Sequence, residues 1–205
     1  MRKFSITAVA LLALGLITFN SLAQDDNKPA EGPRPGQQAP NFTLSDQDGK
    51  SHTLADLKGK VVVLEWFNEE CPFVVKQYRE GHMNTLADRY EEKGVVWLAI
   101  DTTQMTSEDN KKISEKWKID RPILNDSDGT VGKAYEAKNT PQMFIIDKEG
   151  KIAYNGAIDS IKSAKTEDIA KAENYVAKAL DELLAGETVS TPETKPYGCV
   201  VKYGK

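Results

Sequence analysis

Val61-Val62-Val63-Leu64-Glu65-Trp66-Phe67 is a nearly unbroken apolar run of strand length, and it limits the fold more than any other stretch of this 205-residue chain. A strand with one wet face alternates apolar and polar residues, so this one is expected to be buried on both faces. Val95-Val96-Trp97-Leu98-Ala99-Ile100, introduced by Gly94, is a second strand of the same kind. The helix-length segment between them completes a βαβ unit. With 40% hydrophobic and 28% charged residues the chain can build one such domain, which excludes disorder as its global description.

The rest of the pattern extends this unit. Phe42-Thr43-Leu44 and Ser51-His52-Thr53 flank the turn signal Asp48-Gly49 and predict a short N-terminal β-hairpin. Met143 to Ile146 and Ile152 to Tyr154 flank Lys148-Glu149-Gly150 and predict another. Helices are expected from Ser107, as N-cap, to Trp117, and from the Asp126–Gly129 turn through Tyr135. A last helix is expected from about Thr166 to Ala185, stopped by Gly186. Its Ile169, Val176, Leu180, Leu183 and Leu184 share a face that reads as core. The expected architecture is α/β, a mixed central sheet with helices on both faces.

The N-terminus reads as an address. Arg2 and Lys3 precede a largely apolar run, Ile6 to Phe19, too short for a comfortable membrane span, and Ser21-Leu22-Ala23 supplies small residues for cleavage. Residues 1–23 are therefore expected to be a signal peptide, 24–38 a flexible leader, 39–187 the domain and 188–205 a tail. Export to the periplasm or beyond is expected, with no membrane span after cleavage. The net charge of −4, without a sustained basic block, excludes a nucleic-acid partner. Two cysteines and two histidines cannot form a zinc-finger or iron–sulfur scaffold, so neither metal nor cofactor is expected. Outside the cytoplasm the two cysteines form either a permanent bridge or a redox-active pair.

Cys71 follows the first buried strand closely and Pro72 comes next, which suits proline at the first helical position and makes Cys71 the N-cap. Free amides and the helix dipole there favour thiolate over thiol. Glu69 and Glu70 oppose this by like-charge repulsion, and Lys76 and Arg79 lie one to two turns further along. A reactive sulfur in this position should be solvent-reachable.

Trp66-Phe67-Asn68-Glu69-Glu70-Cys71-Pro72-Phe73-Val74 resembles the active-site strand–turn–helix of the thioredoxin superfamily, and Thr140-Pro141 resembles its cis-proline. Pro40-Asn41-Phe42-Thr43-Leu44, Asp48-Gly49-Lys50 and Leu57-Lys58-Gly59-Lys60-Val61-Val62-Val63 look like the opening of redoxin domains. The tail's Lys195-Pro196-Tyr197-Gly198-Cys199 is similar to the ending of a peroxiredoxin-like subgroup with a Cys-Pro site. The resemblance implies a thioredoxin-like fold. It also implies a thiol oxidoreductase with Cys71 as nucleophile and Cys199 as resolving partner. Asn68, Pro72, Thr140 and Pro141 would bind substrate, the last two through an open backbone edge. The substrate would be a thiol/disulfide protein or a hydroperoxide, with an external reductant.

The chain also departs from these patterns. Val74 stands where thioredoxins place their second cysteine, so exchange within one motif is impossible. Peroxiredoxins carry proline and threonine where this chain has Leu64 and Asn68, and an asparagine amide replaces that hydroxyl only in part. The alternative is a non-catalytic binding module whose Cys71–Cys199 bridge merely fastens the tail, worth about 5 kcal/mol by loop-closure entropy.

Overall fold

The computed structural model describes residues 32–203. The expected signal peptide, and the leader as far as residue 31, lie outside the described residues. Among the described residues nine strands and five α-helices follow in order. They are β1 (Thr43–Ser45), β2 (Ser51–Thr53), β3 (Val62–Phe67), α1 (Pro72–Tyr78), α2 (His82–Glu91), β4 (Val96–Asp101) and α3 (Ser107–Trp117). Then come β5 (Ile123–Asn125), α4 (Thr130–Tyr135), β6 (Asn139–Thr140), β7 (Gln142–Ile146), β8 (Ile152–Gly156), α5 (Tyr175–Leu184) and β9 (Cys199–Val200).

The central sheet runs β5-β4-β3-β7-β8, parallel through β5, β4 and β3 and antiparallel through β7 and β8. All six residues of β3 are buried, which is why its sequence does not alternate. Its side chains feed two cores. Val63 and Phe67 pack with Val74 of α1, Met83 and Tyr90 of α2 and Val176 and Leu180 of α5. Val62, Leu64 and Trp66 pack on the other face with Val131 and Tyr135 of α4, Phe42 beside the β1–β2 hairpin, and Val201 of the tail. Burying each such side chain contributes about 1.5–3 kcal/mol. The arrangement is the thioredoxin-like fold, a mixed five-stranded sheet with helices and an N-terminal hairpin.

Glu65, mid-strand in β3, is the polar exception. It faces the first core, accepting from Tyr78 Oη at 3.0 and 2.9 Å and from Trp97 Nε1 at 3.2 Å, with Arg121 4.0 Å away. Burial raises its pKa, against the pull of Arg121.

Several local expectations shift. The helix expected over Thr166–Ala185 is broken into a 3-10 turn, Thr166–Lys171, and α5, because Ala172 is extended and the Asn174 side chain caps α5 by accepting from Ala177 N at 2.8 Å. Thr106, not Ser107, caps α3, in a reciprocal box with Asp109. The leader is not free up to residue 38: Gly36 N donates to Ile152 O and Ile152 N to Gln37 O, both at 2.8 Å. The tail is also ordered. Asn155 N donates to Pro192 O and Thr194 N to Asn155 O (3.0 and 3.1 Å), which covers the outer edge of β8.

Candidate active site

Cys71 is the N-cap of α1, with Pro72 at the first helical position. The turn that delivers it is shaped by Asn68, whose Oδ1 accepts from Glu70 N at 2.9 Å and whose carbonyl accepts from Cys71 N at 3.1 Å. The Asn68 side-chain oxygen is thus engaged by the turn. Pro72 is exposed, whereas Thr140 and Pro141 are buried and joined by a cis peptide bond.

The Thr140 backbone edge, expected to stand open to a substrate, is occupied by the chain's own tail. β9 pairs antiparallel with β6, with Thr140 opposite Cys199 and Asn139 opposite Val200. Asn139 Nδ2 donates to Gly198 O at 3.2 Å and Val201 N to Lys138 O at 3.0 Å. Gly198 sits at φ 130°, so close to the Thr140 carbonyl that any side chain there would collide with it.

The pairing brings the two sulfurs together. Both cysteines are free thiols, and the Cys71 thiol donates to the Thr140 carbonyl at 2.9 Å. Cys71 is only 1% exposed, which corrects the expectation of a solvent-reachable sulfur: the tail lies over it. Burial by itself raises the Cys71 pKa. It is nevertheless held below the ordinary thiol value by hydrogen bonding with the Cys199 thiol, then by Thr140, then by the amides of Cys199 and Val74. The Val74 amide donates chiefly to the Cys71 carbonyl, at 2.9 Å, and the Cys71 side chain caps nothing, so the helix end is the weaker influence. The Thr140 hydroxyl is buried without a hydrogen-bond partner and is free to turn toward a thiolate. Cys199 moves the other way: burial, the hydrogen bond to Cys71 and the charge of Cys71 push it up to about 11. One sulfur is prepared to ionise and its neighbour to keep a proton.

The two acidic residues before Cys71 do not oppose this, because their carboxylates are paired elsewhere, Glu69 with Lys116 (3.1 Å) and Glu70 with Lys202 (3.3 Å). Nor does Lys76 reach back to Cys71; it turns to Asp159 and Tyr197, at 3.3 Å each. Asp159 and Tyr197 were not identifiable as site residues from sequence, although Tyr197 stands just before Gly198-Cys199. His52 and His82 pair with Asp46 and Glu80, at 2.7 and 3.6 Å. Among the described residues one acidic trio, Asp88, Glu91 and Asp120, gathers carboxylate oxygens within 4.8 Å; it includes no cysteine.

A thioredoxin-like sheet with a thiol at the junction of β3 and α1 and a second thiol beside it defines a redoxin of the thiol oxidoreductase class. Residues 35–155 match the AhpC/TSA family, and the chain belongs to that family. It is 32% identical over 170 residues to the thiol-disulfide oxidoreductase ResA of Bacillus thuringiensis subsp. konkukian (strain 97-27), covering 83% of this chain and 92% of that one. Among solved structures, a conserved protein from Geobacillus kaustophilus is 31% identical with a TM-score of 0.70, covering 83% of this chain and 92% of that chain. The peroxidoxin BcpB from Mycobacterium tuberculosis, 24% identical with a TM-score of 0.55, covers 75% of this chain and 97% of its own and shares the fold.

Proposed function

We propose that the protein is an exported thiol–disulfide oxidoreductase whose working pair is Cys71 and Cys199. Export rests on the sequence of residues 1–23, and no helix among the described residues is long and apolar enough to cross a membrane. The observation that carries the reading is the β6–β9 pairing, which sets Cys199 across from the residue that accepts the Cys71 thiol.

In the reducing direction the Cys71 thiolate attacks one sulfur of a substrate disulfide. The other substrate sulfur leaves and takes up a proton, giving a mixed disulfide on Cys71. Cys199 then loses its proton and attacks the Cys71 sulfur, and the second substrate thiolate departs and is protonated. Two electrons have passed to the substrate, and the protein holds a Cys71–Cys199 disulfide until an external thiol reduces it. Two of the influences that hold the Cys199 proton are the hydrogen bond and charge of Cys71. Both disappear when Cys71 enters the mixed disulfide, so Cys199 ionises more easily at the step that needs it.

Because the tail covers Cys71, a disulfide reaches it only when the tail lifts, whereas a hydroperoxide needs a smaller opening. Stopped-flow measurements with a mixed disulfide and with hydrogen peroxide, on wild type and Cys71→Ser, test the reading. Fast reduction of the disulfide by wild type alone supports it. Faster reaction with peroxide moves the substrate to hydroperoxides. Equal rates for wild type and variant dismiss catalysis and leave the pair as a fastening for the tail.

A further inference from the structure

We infer that Lys76, Asp159 and Tyr197 form a latch that positions Cys199 on Cys71, and that this latch sets how readily the pair closes into a disulfide; the inference rests on the thiol-pair reading above. Lys76 stands on α1, the helix that begins at Cys71, and Tyr197 stands on the tail just before Gly198-Cys199. One carboxylate joins them. Asp159 Oδ2 accepts from Lys76 Nζ at 3.3 Å and from Gln77 Nε2 at 3.2 Å, while Asp159 Oδ1 accepts from Tyr197 Oη at 2.5 Å. Lys76 Nζ also donates to Tyr197 Oη at 3.3 Å and to Ile161 O at 3.5 Å. The Tyr197 ring packs edge-on against Phe73, with centroids 5.7 Å apart.

The cost of this cluster argues for a geometric purpose. The Lys76 and Asp159 side chains are 1% and 3% exposed, and a buried ion pair is often no better for stability than apolar residues of the same size. An apolar patch would fasten the tail anywhere along a smooth surface. A lysine, a carboxylate and a phenol, each fixed by directional bonds, hold it at one register. On the far side of Cys199 the tail is held again, by Val201 N on Lys138 O (3.0 Å) and by Tyr203 Oη on Ala137 O (2.6 Å). Cys199 is stretched between two anchors, and the upstream one is tied to the helix that carries Cys71.

The test is the equilibrium of the full-length protein with glutathione, in which the dithiol protein and one glutathione disulfide give the bridged protein and two glutathione thiols. Tyr197→Phe keeps the ring against Phe73 and removes the hydroxyl. The constant for closing the bridge is expected to fall at least about tenfold, because the lost hydroxyl both donates to the Asp159 carboxylate and accepts from the Lys76 ammonium. Cys199 in the reduced protein is expected to alkylate faster by a similar factor. Lys76→Met, of similar length and apolar, gives a second reading if Tyr197→Phe does not fold. A folded Tyr197→Phe or Lys76→Met protein that closes its bridge with the wild-type constant overturns the latch, even if its unfolding midpoint has moved. A wild-type protein that forms no bridge in glutathione disulfide overturns the thiol-pair reading itself, and the latch with it.

Discussion

The segment carrying Cys71 is held by its backbone: a six-residue strand buried on both faces, an asparagine turn, and a proline that opens a helix. The segment carrying Cys199 forms only two residues of strand and is held by side chains docked on the domain, Tyr197 on one side and Tyr203 on the other. The first segment cannot move without breaking the sheet. The second can lift at the loss of a few contacts, because short strands and docked tails occupy the low end of local stability. A thiol pair divided in this way has a fixed member, whose pKa is lowered, and a removable member, whose pKa is raised.

The largest test of this division is Cys71→Ser against Cys199→Ser. Loss of the fixed thiol should reduce disulfide exchange to the uncatalysed background. Loss of the removable thiol should leave the first attack intact and stop the reaction at a mixed disulfide on Cys71, detectable by mass spectrometry. If Cys199→Ser turns over like wild type, the two segments are not partners.

Gly198→Ala should come next in size. A methyl group there collides with the Thr140 carbonyl, and φ 130° is unfavourable for any residue but glycine. Strain of about 1–3 kcal/mol should fall on the docked tail alone, shifting it toward the lifted state by roughly fivefold to 150-fold. Alkylation of both cysteines in the reduced protein should accelerate while the unfolding transition of the central sheet stays near that of wild type. An unchanged alkylation rate would mean that β9 does not cover Cys71 in solution.

These two segments also differ in how far the sequence revealed them. β3 and the Cys71-Pro72 junction were legible because burial on both faces leaves an unbroken apolar run, and proline at a helix start has a local steric cause. The resemblance marks Cys199 as the resolving partner of Cys71, but the strand that carries it is not legible, since two residues have no periodicity to read. The cover over Cys71 has no local signature either, because it is made by residues more than a hundred positions away. Lys76 stands out by its spacing from Cys71, but its partner Asp159 lies in a loop after β8 with no pattern around it. Long-range side-chain pairing leaves no local signature, and the removable half of the site depends on it.

The pH dependence sharpens the comparison further. In wild type the alkylation rate of Cys71, read against pH, should have its midpoint below that of an ordinary exposed thiol. In Cys199→Ala that midpoint should rise, because hydrogen bonding with the Cys199 thiol is the largest of the influences that lower it. The stability that the Cys71 thiolate lends the fold should be full above the unfolded thiol value and disappear as pH falls through the lower folded value. The Cys199→Ala protein should show less of this loss. A midpoint that falls in Cys199→Ala would reverse the assignment of fixed and removable thiols.

The smallest expected effect is that of Thr140→Val, which asks whether the fixed segment stabilises its thiolate without help from the tail. Valine keeps the shape of threonine, and the Thr140 carbonyl remains to accept from the neutral thiol. What is lost is a buried hydroxyl without a hydrogen-bond partner, whose desolvation already costs the folded protein. Unfolding measured at low pH, where Cys71 is protonated, should therefore be unchanged or slightly more difficult in the variant. The Cys71 midpoint should move up, by less than in Cys199→Ala, since Thr140 ranks after Cys199 among the groups that lower it. If the midpoint stays where it is in wild type, the hydroxyl does not turn toward the sulfur, and the thiolate depends on the tail for most of its stabilisation.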